Sequence, residues 1–163
     1  MAWTTPSTAP FLAGHVPTSA EMVTHITDNF KAIGDPWTSY TPSWLGATTN
    51  PTIGNGTITG AYRSVGKYTT FRIRILMGTT TGFGSGSYQL TLPVAAIVVG
   101  NPGICGHWND ASLAVPHPVI AIGSSVSQFR MVSTDSTTYS NPTFPFTLAV
   151  GDEIIIGGTY EAA

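Results

Sequence analysis

The chain has 163 residues, enough for one compact domain with a real core and too few for two full ones. Only 9% of the residues are charged and the formal net charge is −2, so there is no basic stripe to neutralise a phosphate backbone and no cationic face for a membrane surface. No apolar run approaches the roughly 20 residues that cross a bilayer; neither nucleic acid nor membrane is expected as a partner. The polar surface comes instead from threonine, serine, asparagine and glycine. With 18 Gly and 12 Pro breaking the chain into short pieces, that composition reads as β-rich.

Residues 1–17 contain Pro6, Pro10 and Pro17 and no regular period, which favours an extended arm. Trp3 and Phe11 are large apolar groups that such an arm cannot bury by itself. A helix is expected next, from Thr18 to Ile33. Thr18 and Glu21 have the spacing of a capping box, and Gly34 followed by Asp35-Pro36 marks the end. Met22, Val23, Ile26, Phe30 and Ile33 form one apolar stripe. Met22, Ile26, Asn29 and Ile33 have the spacing of a short coiled-coil seam. So short a helix needs a partner surface, which either the β body or other copies of the chain would provide.

Beyond residue 36 the period changes to two. The segment Trp37–Trp44 alternates imperfectly, and Asn55-Gly56 is a tight-turn pair between Ile53 and Ile58. Tyr68–Met77 is the clearest strand: Phe71, Ile73 and Ile75 share one face, Arg72 and Arg74 the other. A flexible loop is expected over Gly78–Gly86, then strands at Tyr88–Leu92, Val94–Val99, Ala114–Ile122, Ser127–Ser133 and Phe144–Val150. Residues 102–112 read as an irregular connection. Gly151-Asp152 reads as the turn of a final hairpin leading into a last strand, Glu153–Tyr160. About eight strands without βαβ alternation predict a mainly β protein, an antiparallel β-sandwich of which the jelly roll is one arrangement. The expected division is an arm and helix over 1–35, for anchoring and oligomerisation, and a β-sandwich domain over 36–163.

Catalytic signatures are missing. There is no G-x-S-x-G elbow, and Gly66-Lys67 is followed by Tyr68 rather than by the end of a phosphate loop. The eight acids are scattered, and Asp152 and Glu153 are expected to be solvated at their turn. Cys105, His107, Asp110 and His117 lie close in sequence, but no second paired motif completes a zinc set; the plainer reading buries Cys105 as a small hydrophobe. A lone cysteine forms no internal disulfide. No metal, cofactor or catalytic residue is expected. Trp108, Asn109 and Asp110 are the best candidates for glycan contact, an aromatic platform beside an amide and a carboxylate, with Tyr40 and Trp44 as a second platform. Arg63, Arg72 and Arg74 would line a polar sheet face.

Two groups of short motifs carry a resemblance. Met1-Ala-Trp-Thr-Thr-Pro6, Ala13-Gly14, Val16-Pro-Thr-Ser-Ala-Glu21, Thr24-His25 and Asp28-Asn29-Phe30 resemble the start of small virion proteins of tailed bacteriophages. Trp37-Thr-Ser-Tyr40-Thr-Pro42, Ile53-Gly-Asn-Gly56, Gly60-x-Tyr62 through Val65-Gly-Lys67, Leu92-Pro93, Gly151-Asp152 and Gly158-Thr-Tyr-Glu161 are similar to a β module of phage tail and fibre-like proteins. The resemblance implies a non-enzymatic structural protein of the virion, with major capsid or tail proteins as partners and a homotrimer as the favoured state. Without a shaft repeat, head decoration or a small tail accessory role fits better than a long fibre. The start lacks the pattern of a secretory signal, so synthesis in the host bacterial cytoplasm is expected. Partner contacts are expected at Trp3, Phe11, Met22, Val23, Ile26, Phe30 and Ile33. The alternative is a tail-associated receptor-binding module that recognises host cell-wall glycans through Trp108.

Overall fold

A computed structural model describes residues 12–100, 103–134 and 136–163; Trp3 and Phe11 lie outside the described residues. The expected helix is present as three contiguous segments of differing pitch: α1 (Ser19–Met22), a π-helical turn (Val23–Thr27) and α2 (Asp28–Gly34). It begins where the capping box places it. Thr18 Oγ1 accepts from the Glu21 amide at 3.2 Å, and Glu21 Oε2 accepts from the Thr18 amide at 2.7 Å.

The described residues beyond the helix build one antiparallel sheet of nine strands: β1 (Thr38–Tyr40), β2 (Trp44–Gly46), β3 (Thr57–Val65), β4 (Tyr68–Leu76), β5 (Tyr88–Thr91), β6 (Gly103–Asp110), β7 (Val115–Ser125), β8 (Gln128–Ser133) and β9 (Glu153–Glu161). Their spatial order is β1-β3-β4-β9-β6-β7-β8-β5-β2. The two edges, β1 and β2, are therefore joined by residues 41–43 alone. A link that short spans only about 14 Å, so the sheet must curl until its ends approach. Phe71 on β4 and Phe129 on β8 have β9, β6 and β7 between them. A flat sheet would hold them about 19 Å apart at ~4.8 Å per strand, yet their ring centroids lie 5.9 Å apart. The two halves of the curled sheet thus pack face to face over one core, as a sandwich requires.

The core is what period two dictates. Phe71, Ile73 and Ile75 point inward from β4, Tyr88 and Leu90 from β5, Ile104 and Trp108 from β6, Val119 and Ala121 from β7, Phe129 and Met131 from β8, and Ile154, Ile156 and Tyr160 from β9. The β3–β4 hairpin turns through Gly66-Lys67, with Gly66 at φ +59, a left-handed conformation that costs glycine nothing.

Several sequence expectations give way. Residues 102–112 are not an irregular connection: β6 lies mid-sheet between β9 and β7. Its inward row is Ile104, Gly106, Trp108, and the glycine hides the alternation. A Cβ on Gly106 would come 2.2 Å from the Ile155 carbonyl oxygen, so the position excludes the apolar side chain that would have revealed the strand. Phe144–Val150 is not a strand; Pro145 has no amide for a ladder, and the segment is a loop that sends Leu148 into the core and Phe146 against it. Val94–Val99 forms a strap rather than a buried strand, with only Ala96 buried and Val98 66% exposed. The last strand makes no hairpin with its predecessor; β9 lies between β4 and β6. Trp37–Trp44 supplies both β1 and part of β2, at opposite edges, because Pro42 interrupts it. The 53–56 turn forms around Gly54 and Asn55, closed by Gly56 N donating to the Ile53 carbonyl at 2.9 Å, and leads into β3. The 78–86 loop is not loose but stitched to residues 49–55: Asn55 Oδ1 accepts from the Thr80 amide, and Thr52 and Gly82 exchange backbone bonds at 2.8 Å.

Candidate functional site

The predicted glycan platform is not at the surface. Trp108 is 0% exposed; it points inward from β6, lies 6.0 Å from the Tyr88 ring, and its Nε1 donates to Ser140 Oγ at 3.2 Å. Asp110 is buried too, and its Oδ1 is committed to the turn between β6 and β7. It accepts from the Ser112 hydroxyl at 2.7 Å and from the amides of Ser112 and Leu113 at 2.9 and 3.2 Å. Led by the Ser112 hydroxyl, these bonds hold its carboxyl below the usual range. Asn109, half-buried, is left without the platform it was to flank. The second platform closes as well: Trp44 is buried beside Tyr88, and half-buried Tyr40 packs edge-on against Tyr62. Alternation hid this outcome, because a Trp-Asn-Asp run in a loop presents its ring, whereas in a strand the ring faces the core.

Asp152, expected in solvent, is 1% exposed. Its two oxygens accept from the Ala111 amide at 3.0 Å and the Ala149 amide at 2.6 Å, tying two turns together. Cys105 is exposed rather than buried, on the outer face of β6 with half-buried His107. His117 stacks on Phe146 at 4.9 Å. Among the described residues no three His, Cys, Asp or Glu side chains come together as a metal set would, and no helix is long and apolar enough to cross a membrane.

Among the described residues, three surfaces stand out. On the helix, Met22, Val23, Phe30 and Ile33 are 42%, 48%, 72% and 47% exposed, with Ile26 half-buried. The π-helical turn shifts the phase of the seam: Asn29 is buried, its Nδ2 donating to the His25 carbonyl at 3.2 Å, and Phe30 projects instead. A second surface is a cavity of ≈ 330 Å³ under the 94–100 strap, lined by Tyr68, Leu92, Ile97, Gln128, Phe129 and Tyr160 among others. The Tyr160 hydroxyl secures that strap, donating to the Val94 carbonyl at 2.6 Å.

The third is a groove of ≈ 470 Å³ on the outer face of β1, β3, β4 and β9. Ser39, Thr59 and Ala61, with Arg72, Arg74 and Ile155, line it. Arg74 is engaged: its Nε donates to Glu153 Oε2 at 3.0 Å, and its Nη2 reaches the same oxygen. Arg72 has no carboxylate partner among the described residues; its guanidinium carbon sits 5.0 Å from the centre of the Trp37 ring. The alternation of β4 foretold both arginines on one face. That Trp37 joins them depends on the β1–β3 register, which no local pattern encodes.

No family model matches the chain, and neither a curated protein nor a solved structure is found to match it.

Proposed function

We propose that this protein is a non-enzymatic structural component that works by assembly, with its helix as the docking element. The observation that carries the reading is the helix stripe: Met22, Val23, Phe30 and Ile33 leave close to half or more of their surfaces in water. Covering the remainder of each would contribute on the order of 1 kcal/mol at ~25 cal/mol per Å². Four such groups on one short helix make a useful contact. None of them belongs to the hydrophobic core of the described β body. The low charge of the chain also leaves little repulsion between copies.

The resemblance to tailed-phage virion proteins supplies the setting for this reading. The docking partners are further copies, in a trimer, and the major capsid or tail lattice, where each copy would bridge neighbours. The test uses the full chain. Light scattering after size exclusion should give an oligomer for the wild type and a monomer for Met22→Glu/Phe30→Glu, with the β-sheet circular dichroism unchanged. A wild type that stays single at high concentration, and does not bind purified virus particles, overturns the proposal.

A further inference from the structure

We infer that the groove beside Arg72 is a binding site for an acidic carbohydrate, with Arg72 reading an oxyanion and Trp37 supporting the sugar ring. The inference stands apart from assembly through the helix, since the groove is on the sheet and shares no residue with the stripe.

Strand register builds the site. Ser39, Ala61, Arg72 and Gly157 lie side by side across β1, β3, β4 and β9. Arg72 therefore rises between two of the smallest residues, Ala61 and Gly157, and nothing on the neighbouring strands at its level covers it. Period two places Trp37, just before β1, on the same face as Ser39. Trp37 meets the guanidinium while remaining 40% exposed.

The chemistry selects the ligand. A guanidinium is a planar fork of donors that matches the two oxygens of a carboxylate or phosphate. Nearby Arg74 is already occupied by Glu153, so of the two arginines lining the groove Arg72 is the one without a carboxylate partner among the described residues. The contact with Trp37 restrains its long side chain, which lowers the ordering cost when a ligand binds. Ser39 adds a hydroxyl that can both donate and accept as sugar hydroxyls require, and Thr59, whose Oγ1 donates to the Arg74 carbonyl at 3.5 Å, adds an acceptor. Ile155 and Ala61 give the groove an apolar floor that an aliphatic ring face can cover. A free small anion would use Arg72 alone; only a ring bearing the anion uses the whole groove.

The experiment is titration calorimetry on the full-length protein at low and high salt, with three probes. An oligogalacturonide presents carboxylates, a phosphorylated mannan presents phosphates, and maltohexaose is neutral. At least one acidic probe should bind at least tenfold more tightly than maltohexaose, and the two acidic arms show which oxyanion the groove takes. Arg72→Gln should lose at least tenfold, Arg72→Lys several-fold because it keeps the charge without the fork, and Trp37→Ala several-fold. Lys67→Gln, in the hairpin turn outside the groove, should bind as wild type. The inference is overturned if neither acidic probe binds at millimolar concentration, if maltohexaose binds as well, or if Arg72→Gln and Arg72→Lys both retain full affinity. It is also overturned if a poly-glutamate peptide binds as tightly as the better sugar, which would make the partner a protein.

Discussion

Trp108 and Ser140 meet in the interior, both 0% exposed, with the indole N–H donating to the serine hydroxyl at 3.2 Å. This bond turns the residue that most resembled a sugar platform into a strut between β6 and the 140 loop. Ser140→Ala leaves a buried donor unpaired and should cost about 1–3 kcal/mol. Trp108→Ala also opens a cavity and should cost about 3–5 kcal/mol. Urea denaturation measures both, and a Trp108→Ala protein as stable as wild type would contradict the buried placement.

Asp152 gives a second prediction. Its two oxygens each accept from a backbone amide, those of Ala111 and Ala149. Asp152→Asn keeps one acceptor but turns an NH₂ group toward the other donor. It should destabilise by about 1–3 kcal/mol, with hydrogen exchange accelerating at the Ala111 or Ala149 amide before the core strands respond.

The start of the helix should be sensitive to acid. The Thr18 amide, the Thr18 hydroxyl and His15 lower the Glu21 pKa from 4.5 to about 2, in that order of importance. A carboxylate whose folded value is depressed stabilises the fold above its unfolded value, and that contribution disappears as pH falls from 4.5 towards 2. The Thr18 and Glu21 amides should therefore keep their NMR shifts down to about pH 4.5 and then fray, while β4 and β9 stay protected. A Glu21 carboxyl titrating at its ordinary value would refute the cap as drawn.

Ala114 has φ +55 in the turn between β6 and β7, a left-handed conformation that costs a residue with a Cβ about 1 kcal/mol or more. Ala114→Gly relieves that strain and pays part of it back in chain entropy. Thermal denaturation should show a net gain of a few tenths to about 1 kcal/mol; a loss would mean that the turn is differently shaped.

How much was legible in the sequence depended on how local the signal was. The helix start needed only Thr18 and Glu21, three residues apart, and it formed as expected. The strand Tyr68–Leu76 needed only its own alternation, which put Phe71, Ile73 and Ile75 in the core and Arg72 and Arg74 outside. β6 failed the same test because Gly106 occupies an inward position, and Phe144–Val150 passed it falsely because apolar residues at alternate places can also plug a core from a loop. At the candidate site, two of the groove's side chains were foreseeable as a polar face, but the pairing of Arg72 with Trp37 was not.

The sequence by itself determined that the protein is β-rich, where its helix begins and ends, and which face of β4 meets the core, because each depends on contacts within a few residues. Only the tertiary structure decided that β9 runs between β4 and β6, that Trp108 is interior, and that Trp37 lies against Arg72. Those depend on which distant strands pair and in what register, and backbone hydrogen bonding between strands is nearly indifferent to sequence. The choice falls to the whole core, closing as one surface.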